Sequence, residues 1–223
     1  MTTASRELEC SLASDWGIVA GMDEVGRGAL AGPVAVGVAL IGVHAGPVPE
    51  GLTDSKALTP RRRDALVEPI QSWVQDCAVG YASPQEIDQW GIIVALRLAG
   101  RRALAEVASR GLVPGGVLLD GSHDWLSAPD DLFGGIDEPE DPFGVELPVH
   151  MQVKADLSCA VVAAASVLAK VARDRLMTDA DDPGYGWASN KGYGSAAHAR
   201  AIAELGVCDF HRRSWKMPTK PTK

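Results

Sequence analysis

Two apolar segments near the start of the chain place the strongest limit on its fold. Residues 17–22 (GIVAGM) and 33–42 (PVAVGVALIG) are rich in valine and isoleucine and are separated by a glycine-rich turn, which predicts two neighbouring strands. Shorter apolar runs predict further strands at 77–82, 116–120 and 148–153. Because the strands come first and mostly neighbour one another, with helices interleaved later, the pattern indicates a mixed α/β fold.

Helix signals fill the intervals between these strands. Thr59 followed by Pro60 is typical of an N-cap with proline in the first turn, and residues 83–86 (SPQE) match a capping box. A strongly apolar stretch begins at Leu157. Together with the apolar periodicity, these signals predict helices at about 60–73, 92–110, 157–177 and 195–205.

The composition is that of a compact globular protein. Of the 223 residues, 46% are apolar and 22% are charged, so we expect one domain over residues 1–223 with a core of about 17–205. Four scattered cysteines and five histidines without metal-ligand spacing argue against a disulfide scaffold and a zinc site. No apolar run approaches the roughly 18 residues of a membrane span, and the first residues lack a leader. We therefore expect a cytoplasmic protein with no membrane partner.

Charge is distributed unevenly along the chain. The formal net charge of −8 argues against a nucleic-acid partner for the chain as a whole. However, segment 121–150 holds eight of the 29 acidic residues and no Lys or Arg, which leaves 21 acids against 21 bases elsewhere. Residues 206–223 form a basic tail, so a local basic surface is still available. We expect 121–150 to be a solvated acidic insertion, whose purpose the sequence does not reveal.

Four carboxylates fall at strand ends or helix starts. Asp23 and Glu24 follow the first apolar run, Asp120 ends the fourth, and Asp156 precedes the apolar helix. Open α/β sheets gather ligands at such positions, and hard oxygen donors suit Mg²⁺ or Mn²⁺ better than zinc. Neighbouring strand residues face opposite sides, so we expect the strand to break at the following glycines and let both acids face one site. The alternative is a set of solvated turns and helix caps.

The turn after the first strand also fits a different function. Residues 26–31 (GRGALA) match the dinucleotide fingerprint G-x-G-x-x-[GA]. That fingerprint needs a helix to start within it, whereas residues 32–38 (GPVAVGV) favour a strand. A dinucleotide-dependent oxidoreductase is therefore a weak alternative. A nucleic-acid-binding module without catalysis is another, but it would be expected to have lost one of the four acids.

Six motifs in order along the chain resemble those of ribonuclease HII. They are DEVGRG at 23–28 with AGPV at 31–34, DSK at 54–56, DG at 120–121, KAD at 154–156, AAASVLAKVARD at 163–174 and KGYGS at 191–195. One such motif would be weak, but six in register over about 17–215 are specific. The chain departs from the family pattern in 121–150, where a much shorter link is expected.

This resemblance implies a ribonuclease H-like fold, in which helices flank a five-stranded mixed sheet. It implies a metal-dependent endoribonuclease that hydrolyses the RNA strand of RNA/DNA hybrids and cuts on the 5′ side of single ribonucleotides in duplex DNA. The products would carry 5′-phosphate and 3′-hydroxyl ends. The catalytic and metal-binding residues carried over are Asp23, Glu24, Asp120 and Asp156, which would hold two Mg²⁺ or Mn²⁺ ions.

The resemblance also assigns residues that contact the substrate. The Gly26-Arg27-Gly28 turn would read the 2′-hydroxyl through its backbone, with Arg27 free to engage a phosphate. Tyr193 would stack on the deoxyribose that follows the ribonucleotide, and its alternative is an ordinary turn tyrosine between two glycines. His198 and His211 are expected to satisfy packing or hydrogen bonds rather than catalysis.

Three further residues are weaker candidates for substrate contact. Lys56 precedes a capped helix in an exposed position, where a surface lysine is the ordinary alternative. Ser166, Lys170 and Asp174 recur every four residues and form one polar stripe on the apolar helix. Lys170 would then either contact a phosphate or pair with Asp174. We predict a monomer that binds RNA/DNA hybrids and ribonucleotide-containing duplex DNA.

Overall fold

The computed structural model describes residues 4–128 and 139–218. Its centre is a five-stranded mixed sheet in the order β3-β2-β1-β4-β5. The strands are β1 Ile18–Val25, β2 Val34–Gly42, β3 Asp76–Ala82, β4 Gly116–Asp120 and β5 Val149–Gln152. All five predicted strands are therefore confirmed, and β1 extends beyond its predicted end at residue 22 to Val25.

The sheet places β1 at its centre, between an antiparallel and a parallel neighbour. β2 pairs antiparallel with β1 along the whole of β1, so Asp23 and Glu24 both lie inside the paired region. β4 pairs parallel with β1, but only as far as Met22 opposite Leu119. The carboxyl ends of β1 and β4 therefore meet at one edge of the sheet, where open α/β folds bind ligands.

Helices cover both faces of the sheet. In chain order they are α1 Glu7–Trp16, α2 Pro60–Trp73, α3 Pro84–Ser109, α4 Ala155–Ser158, α5 Ala160–Asp179, α6 Trp187–Asn190 and α7 Ala196–Leu205, with a 3-10 turn at Ser55–Ala57. The helices predicted at about 60–73 and 195–205 are confirmed as α2 and α7, whereas the sequence signals do not predict α1 or α6. Within the two described ranges, no helix is long and apolar enough to cross a membrane.

The longest helix, α3, begins earlier than predicted. Ser83 Oγ accepts a hydrogen bond from Glu86 N at 3.2 Å, and Glu86 Oε2 accepts one from Ser83 N at 2.7 Å, which confirms the capping box. The helix starts directly behind this box, at Pro84, instead of at about residue 92. Gly91, with a φ of 79°, interrupts it after two turns. That glycine favours a break, which is why helix propensity alone misplaces the start.

Two apolar layers enclose the sheet. On one face, the fully buried alanines 163–165 of α5 present small side chains, so this helix packs closely against β1 and β2. On the other face, Leu96 and Leu104 of α3 join Met22 of β1 in a second buried cluster. The expected architecture of a mixed sheet flanked by helices is thereby confirmed.

The described flanks of the acidic insertion pack on the core. Trp125 and Leu126 are only 1% and 2% exposed and belong to the same apolar cluster as α3. Arg101 of α3 is itself buried and donates to Glu146 Oε1 at 2.8 Å. The expectation of a solvated segment is therefore wrong at Trp125 and Leu126, whereas most of residues 139–148 are exposed although an ion pair links them to α3. Residues 129–138, which carry four of the acids counted above, lie outside the described residues.

Candidate active site

The structure places the four predicted carboxylates near the shared edge of β1 and β4. Asp23 and Glu24 lie within β1, Asp120 is the last residue of β4, and Asp156 lies in α4. β1 continues through both acids to Val25 and ends before Gly26, whose φ is 87°, so the strand breaks at the expected glycines but after the two acids. Asp23 is buried and Glu24 is half-buried, as opposite sides of a pleated strand allow. The charge of Glu24 nevertheless raises the pKa of Asp23.

Asp23 is the most buried of the four carboxylates. It is 2% exposed, and its Oδ1 accepts a hydrogen bond from Glu24 N at 2.8 Å. Its Oδ2 is buried and has no hydrogen-bond partner among the described residues. Burial, and then the charges of Glu24 and Asp120, raise the pKa of Asp23 to about 7. The site therefore holds a carboxylate whose ionised form is poorly compensated by the protein itself.

Asp120, Asp156 and Lys56 form the other half of the site. Asp120 Oδ1 accepts a hydrogen bond from Ala155 N at 2.7 Å, which ties the end of β4 to the start of α4. Lys56 Nζ lies 3.5 Å from Asp156 Oδ2. Burial and the charge of Asp120 raise the pKa of Asp156, and Asp54 raises it further. Sequence reasoning did not single out Asp54, which also accepts a hydrogen bond from Lys56 N at 2.8 Å and so fixes the turn that carries this lysine.

The donor set fits a hard divalent cation. Carboxylate oxygens are the ligands that Mg²⁺ and Mn²⁺ prefer, and the unpartnered Asp23 Oδ2 is a buried acceptor that a cation would satisfy. Within residues 4–128 and 139–218, no three His, Cys, Asp or Glu side chains already form a complete metal-ligand cluster. The fit therefore rests on the chemistry of the donors and on the excess negative charge around Asp23.

The turn that follows β1 owes its shape to contacts inside the protein. Gly26 has a φ of 87°, and a Cβ there would lie 2.1 Å from Arg173 Nε. At Gly28, by contrast, a Cβ would meet nothing within 4 Å, so this backbone faces open space. Sequence reasoning attributes both glycines to close approach of a ligand. Beside Gly28 the approach of a ligand stays a prediction, whereas the close neighbour at Gly26 is the Arg173 side chain of α5.

Two buried arginine side chains hold this turn through hydrogen bonds to its backbone carbonyl groups. Arg212 donates to Gly26 O at 2.7 Å and to Arg27 O at 2.9 Å. Arg173 donates to Pro33 O at 2.8 Å and to Ala31 O at 3.2 Å. Both side chains are fully buried, and burial lowers the pKa of each guanidinium. Sequence reasoning assigned neither arginine a role of its own, since nothing local marks a side chain whose acceptors in this turn lie more than a hundred residues away.

Tyr193 lies beside the same turn. Leu30 N donates to Gly192 O at 2.8 Å, so the loop that carries Tyr193 is hydrogen-bonded to the turn that follows β1. The ring is 38% exposed, and the Arg173 guanidinium lies 5.5 Å from its centroid. The structure thus brings the glycine turn and Tyr193 together, as the predicted substrate contacts require. Arg27 is exposed nearby, and its Nη1 lies 3.3 Å from Glu24 Oε1.

Comparison with known proteins identifies the family. The family model described as Ribonuclease HII matches residues 20–218, a range that includes the four carboxylates, the glycine turn and Tyr193. The chain belongs to the ribonuclease HII family. The ribonuclease HII of Streptomyces avermitilis is 46% identical over 200 residues, which are 89% of this chain and 76% of that protein. Ribonuclease HII enzymes cleave RNA in RNA/DNA hybrids, and the chain is accordingly a metal-dependent endoribonuclease.

Solved structures agree with the ribonuclease HII fold. The PCNA:RNase HII complex from Archaeoglobus fulgidus includes a chain that is 26% identical, with a TM-score of 0.61; the match covers 89% of this chain and 95% of that one. Bst-RNase HIII in complex with Mn²⁺ is 21% identical, with the same TM-score of 0.61, and the match covers 92% of this chain and 70% of that one. The expected ribonuclease H-like fold is confirmed.

The polar stripe of this ribonuclease HII lies on α5, behind the turn that carries Lys56. Ser166 is fully buried, and its Oγ donates to Ser55 Oγ at 2.9 Å, although the hydroxyl is also near enough to lower the pKa of Asp23. Lys170 Nζ donates to Asp174 Oδ1 at 2.6 Å, as the ordinary interpretation of the stripe predicts. A role of Lys170 in phosphate contact stays a prediction.

Proposed function

We propose that this ribonuclease HII cleaves RNA strands of RNA/DNA hybrids and also cuts on the 5′ side of single ribonucleotides in duplex DNA. The products carry 5′-phosphate and 3′-hydroxyl ends. The catalytic and metal-binding residues are Asp23, Glu24, Asp120 and Asp156. The observation that carries this proposal is Asp23, a buried carboxylate with one unpartnered oxygen, which is crowded by Glu24 and Asp120.

The four carboxylates would hold two Mg²⁺ or Mn²⁺ ions. When bound, such ions lower the pKa of an attacking water and stabilise the leaving 3′ oxygen. The protein contributes the negative charge that attracts the ions and the hydrogen bonds that hold the carboxylates in place. Asp23 is fixed by Glu24 N and Asp120 by Ala155 N, so neither carboxylate is free to turn away. Holding ligands in one orientation through hydrogen bonds of this kind commonly changes metal affinity or activity about 10–100-fold.

Substrate binding is assigned to the surface beside these carboxylates. Gly28 faces open space and can let its backbone approach a ribose 2′-hydroxyl, the group that distinguishes RNA from DNA. Arg27 and Lys56 present exposed cationic side chains to phosphates. The exposed ring of Tyr193 packs on the deoxyribose after the ribonucleotide, where a 2′-hydroxyl would crowd it. Ser166 and Lys170 support this surface from α5.

The proposed setting is a cytoplasmic enzyme that acts as a monomer on nucleic acid. The basic surface expected from the charge distribution is supported by Arg27 and Lys56, which flank the acidic centre. A relative occurs in a complex with PCNA. We therefore propose the monomer for the catalytic step alone, because all the residues assigned to that step lie on one chain.

A metal titration of cleavage tests the proposal. The substrates are a DNA duplex with one embedded ribonucleotide, a continuous RNA/DNA hybrid and an all-DNA duplex of the same sequence. We expect cleavage of the first two, dependent on Mg²⁺ or Mn²⁺, with no cleavage of the third. Gel analysis with end-labelled strands identifies the cut site and the end groups. Binding without metal-dependent cleavage would indicate the nucleic-acid-binding module and refute the proposal.

Asp120→Asn and Asp156→Asn provide the residue-level test. Each removes one charge from the set while preserving size, and we expect each to lose at least about 10–100-fold in cleavage rate. The matched control is Asp15→Asn, because Asp15 is exposed on α1. Retention of more than about a tenth of the wild-type rate by either site variant would remove that residue from the proposed ligands.

A further inference from the structure

The segment Cys208–Arg212 lies between the two parts of the proposed substrate-binding surface, with Asp209 exposed and its last two residues buried. It lies within the stretch expected from the sequence to be a basic tail, yet His211 is 1% exposed and Arg212 is fully buried. Its backbone pairs with the turn that follows β1: Gly32 N donates to Phe210 O at 2.8 Å, and Arg212 N donates to Leu30 O at 2.9 Å. The segment is therefore part of the folded core and not an appendage.

Arg212 holds several carbonyl groups of the glycine turn at once. Its guanidinium donates to Gly26 O at 2.7 Å, to Arg27 O at 2.9 Å and to Gly32 O at 3.1 Å. A planar guanidinium with five donors can satisfy several acceptors in a fixed arrangement, which an ammonium group cannot reproduce. Arg212 thereby holds the carbonyl groups of both Gly26 and Arg27, and Gly26 O also accepts the turn's own hydrogen bond from Ala29 N at 3.2 Å.

The direction of these carbonyls determines where the amide donors of the turn point. A trans peptide group is planar, and its N–H points opposite to its C=O. Because Arg212 draws the carbonyls of Gly26 and Arg27 inward, the N–H groups of Arg27 and Gly28 point to the other side. Gly28 also borders open space, since a Cβ placed there would meet nothing within 4 Å. Arg212 thus aims two backbone donors at the place where the proposed function puts the ribose.

The neighbouring His211 acts on Tyr193 through a second histidine. Cys208 N donates to His211 Nδ1 at 3.2 Å, so this nitrogen is an acceptor and the proton of a neutral ring lies on Nε2. His211 Nε2 then donates to His198 Nε2 at 3.2 Å, which leaves His198 Nδ1 to donate to Tyr193 O at 3.0 Å. Burial lowers the pKa of His211 to about 4, so the neutral ring is the form present near neutral pH. One directed chain of hydrogen bonds therefore ends on the backbone of Tyr193.

We propose that Cys208–Arg212 is the positioning segment of the ribonucleotide-reading surface. Arg212 orients the amide donors of Arg27 and Gly28, and His211 orients Tyr193 through His198. The adjacent residues His211 and Arg212 thus position both groups that are proposed to contact the sugars, the glycine turn and Tyr193, relative to each other. The inference rests on the proposed function, since it assigns a role to residues beneath the same site. Arg212, His211 and His198 touch no substrate and act only through the groups they hold.

Duplex binding without cleavage tests the role of Arg212. Affinities are measured in EDTA, which withholds metal, for an all-DNA duplex and for the same duplex with one ribonucleotide. The wild-type chain is expected to prefer the second duplex. Arg212→Lys keeps the positive charge but cannot hold both carbonyls, and we expect it to lose roughly 5- to 10-fold of this preference, the loss of about one hydrogen bond. Its affinity for the all-DNA duplex should be unchanged.

His198 variants test the second half of the segment by rescue. His198→Leu removes the side-chain donor to Tyr193 O and leaves the bond from Ser195 N at 2.9 Å, whereas the amide of His198→Asn can place an N–H near the position of Nδ1. We expect the leucine variant to lose preference for the single-ribonucleotide duplex over a continuous hybrid in kcat/KM, and the asparagine variant to recover at least half of it. The control is Val107→Ala, which opens a cavity in α3 and lowers stability without touching the turn.

The possible outcomes distinguish failure of the proposed function from failure of the positioning segment. If the wild-type chain neither discriminates nor cleaves, the proposed function fails and the positioning segment fails with it. If the wild-type chain discriminates but Arg212→Lys and His198→Leu retain its preference while folded, only the positioning segment is refuted. A parallel loss on every duplex, matched by Val107→Ala at equal melting temperature, would show a purely structural role and would also refute it. If Arg212→Lys does not fold, the comparison of His198→Leu with His198→Asn tests the positioning segment alone.

Discussion

Asp23→Asn should make the metal-free protein more stable and the enzyme inactive. Asp23 is 2% exposed, and its pKa is raised from 3.8 to about 7, first by burial and then by Glu24 and Asp120. In the unfolded chain the carboxyl ionises at its ordinary pKa. Between pH 4 and pH 7 the folded state therefore binds a proton that the unfolded state has lost, so stability falls as pH rises through this window. Asparagine carries no charge, so Asp23→Asn removes this decrease of stability with rising pH.

The size of the effect follows from the pKa difference. A shift of about three units corresponds to about 4 kcal/mol above pH 7, since each unit is about 1.4 kcal/mol. Near pH 4 the two proteins should differ little. For a chain of this size, each kcal/mol moves the melting temperature by about 2–4 °C. At pH 8 in EDTA the variant should therefore melt several degrees higher, while its cleavage rate in Mg²⁺ falls by at least about 10–100-fold.

The measurement is urea unfolding at pH 4.5 and pH 8 in EDTA, for the wild-type chain, Asp23→Asn and the control Asp15→Asn. Other buried groups that titrate in this range are present in all three proteins and cancel in the comparison. Added Mg²⁺ should stabilise the wild-type chain and have a smaller effect on Asp23→Asn, because ligand binding to the folded state raises its stability. A stability difference that does not grow between pH 4.5 and pH 8 would show that burial and crowding do not penalise the Asp23 charge.

Three further predictions concern other parts of the molecule. Glu9 is buried on α1 with a pKa raised by burial to about 7, so Glu9→Gln should gain roughly 3 kcal/mol over the wild-type chain above pH 7 and little below pH 4.5; parallel pH profiles in urea unfolding would contradict this. Trp125→Ala should cost about 3–5 kcal/mol, measured by the same method, because the ring is 1% exposed; a cost below 1 kcal/mol would place Trp125 outside the core. Tyr193→Ala should lower cleavage at a single ribonucleotide roughly 5- to 150-fold, for a stacking loss of about 1–3 kcal/mol. It should lower cleavage of a continuous hybrid less, and equal losses in kcat/KM would mean that the ring only positions the duplex.

The strands could be predicted from the sequence because they are apolar runs, and the central ones are buried almost throughout. β2 is buried along all of Val34–Gly42, and such a run has few alternatives to a central strand. The end of β1 was harder to predict from the sequence, since Asp23 and Glu24 look like the start of a turn. Pairing with β2 extends the strand through both residues, and that pairing energy comes from outside the local sequence.

The site divides in the same way. The four carboxylates could be proposed from the sequence because their types, their places relative to strands and their motifs indicate metal-binding chemistry. Arg212 could not be found by this reasoning, because its acceptor Gly26 O lies 186 residues away. For Gly26 the sequence offered a strand break and the approach of a ligand as reasons; the structure shows a φ of 87° and places Arg173 Nε, not a ligand, where a Cβ would lie.

The contact between Arg212 and Gly26 also has a consequence for biosynthesis. A ribosome that adds about 5–20 residues per second needs roughly 10–40 s to make the intervening 186 residues. The set of four carboxylates is complete once Asp156 has been added, 56 residues before the arginine that orients the turn. A nascent or prematurely terminated chain that ends before Arg212 can therefore contain the complete set of acidic residues without the ability to select ribonucleotides. Selectivity is acquired only when translation is nearly finished.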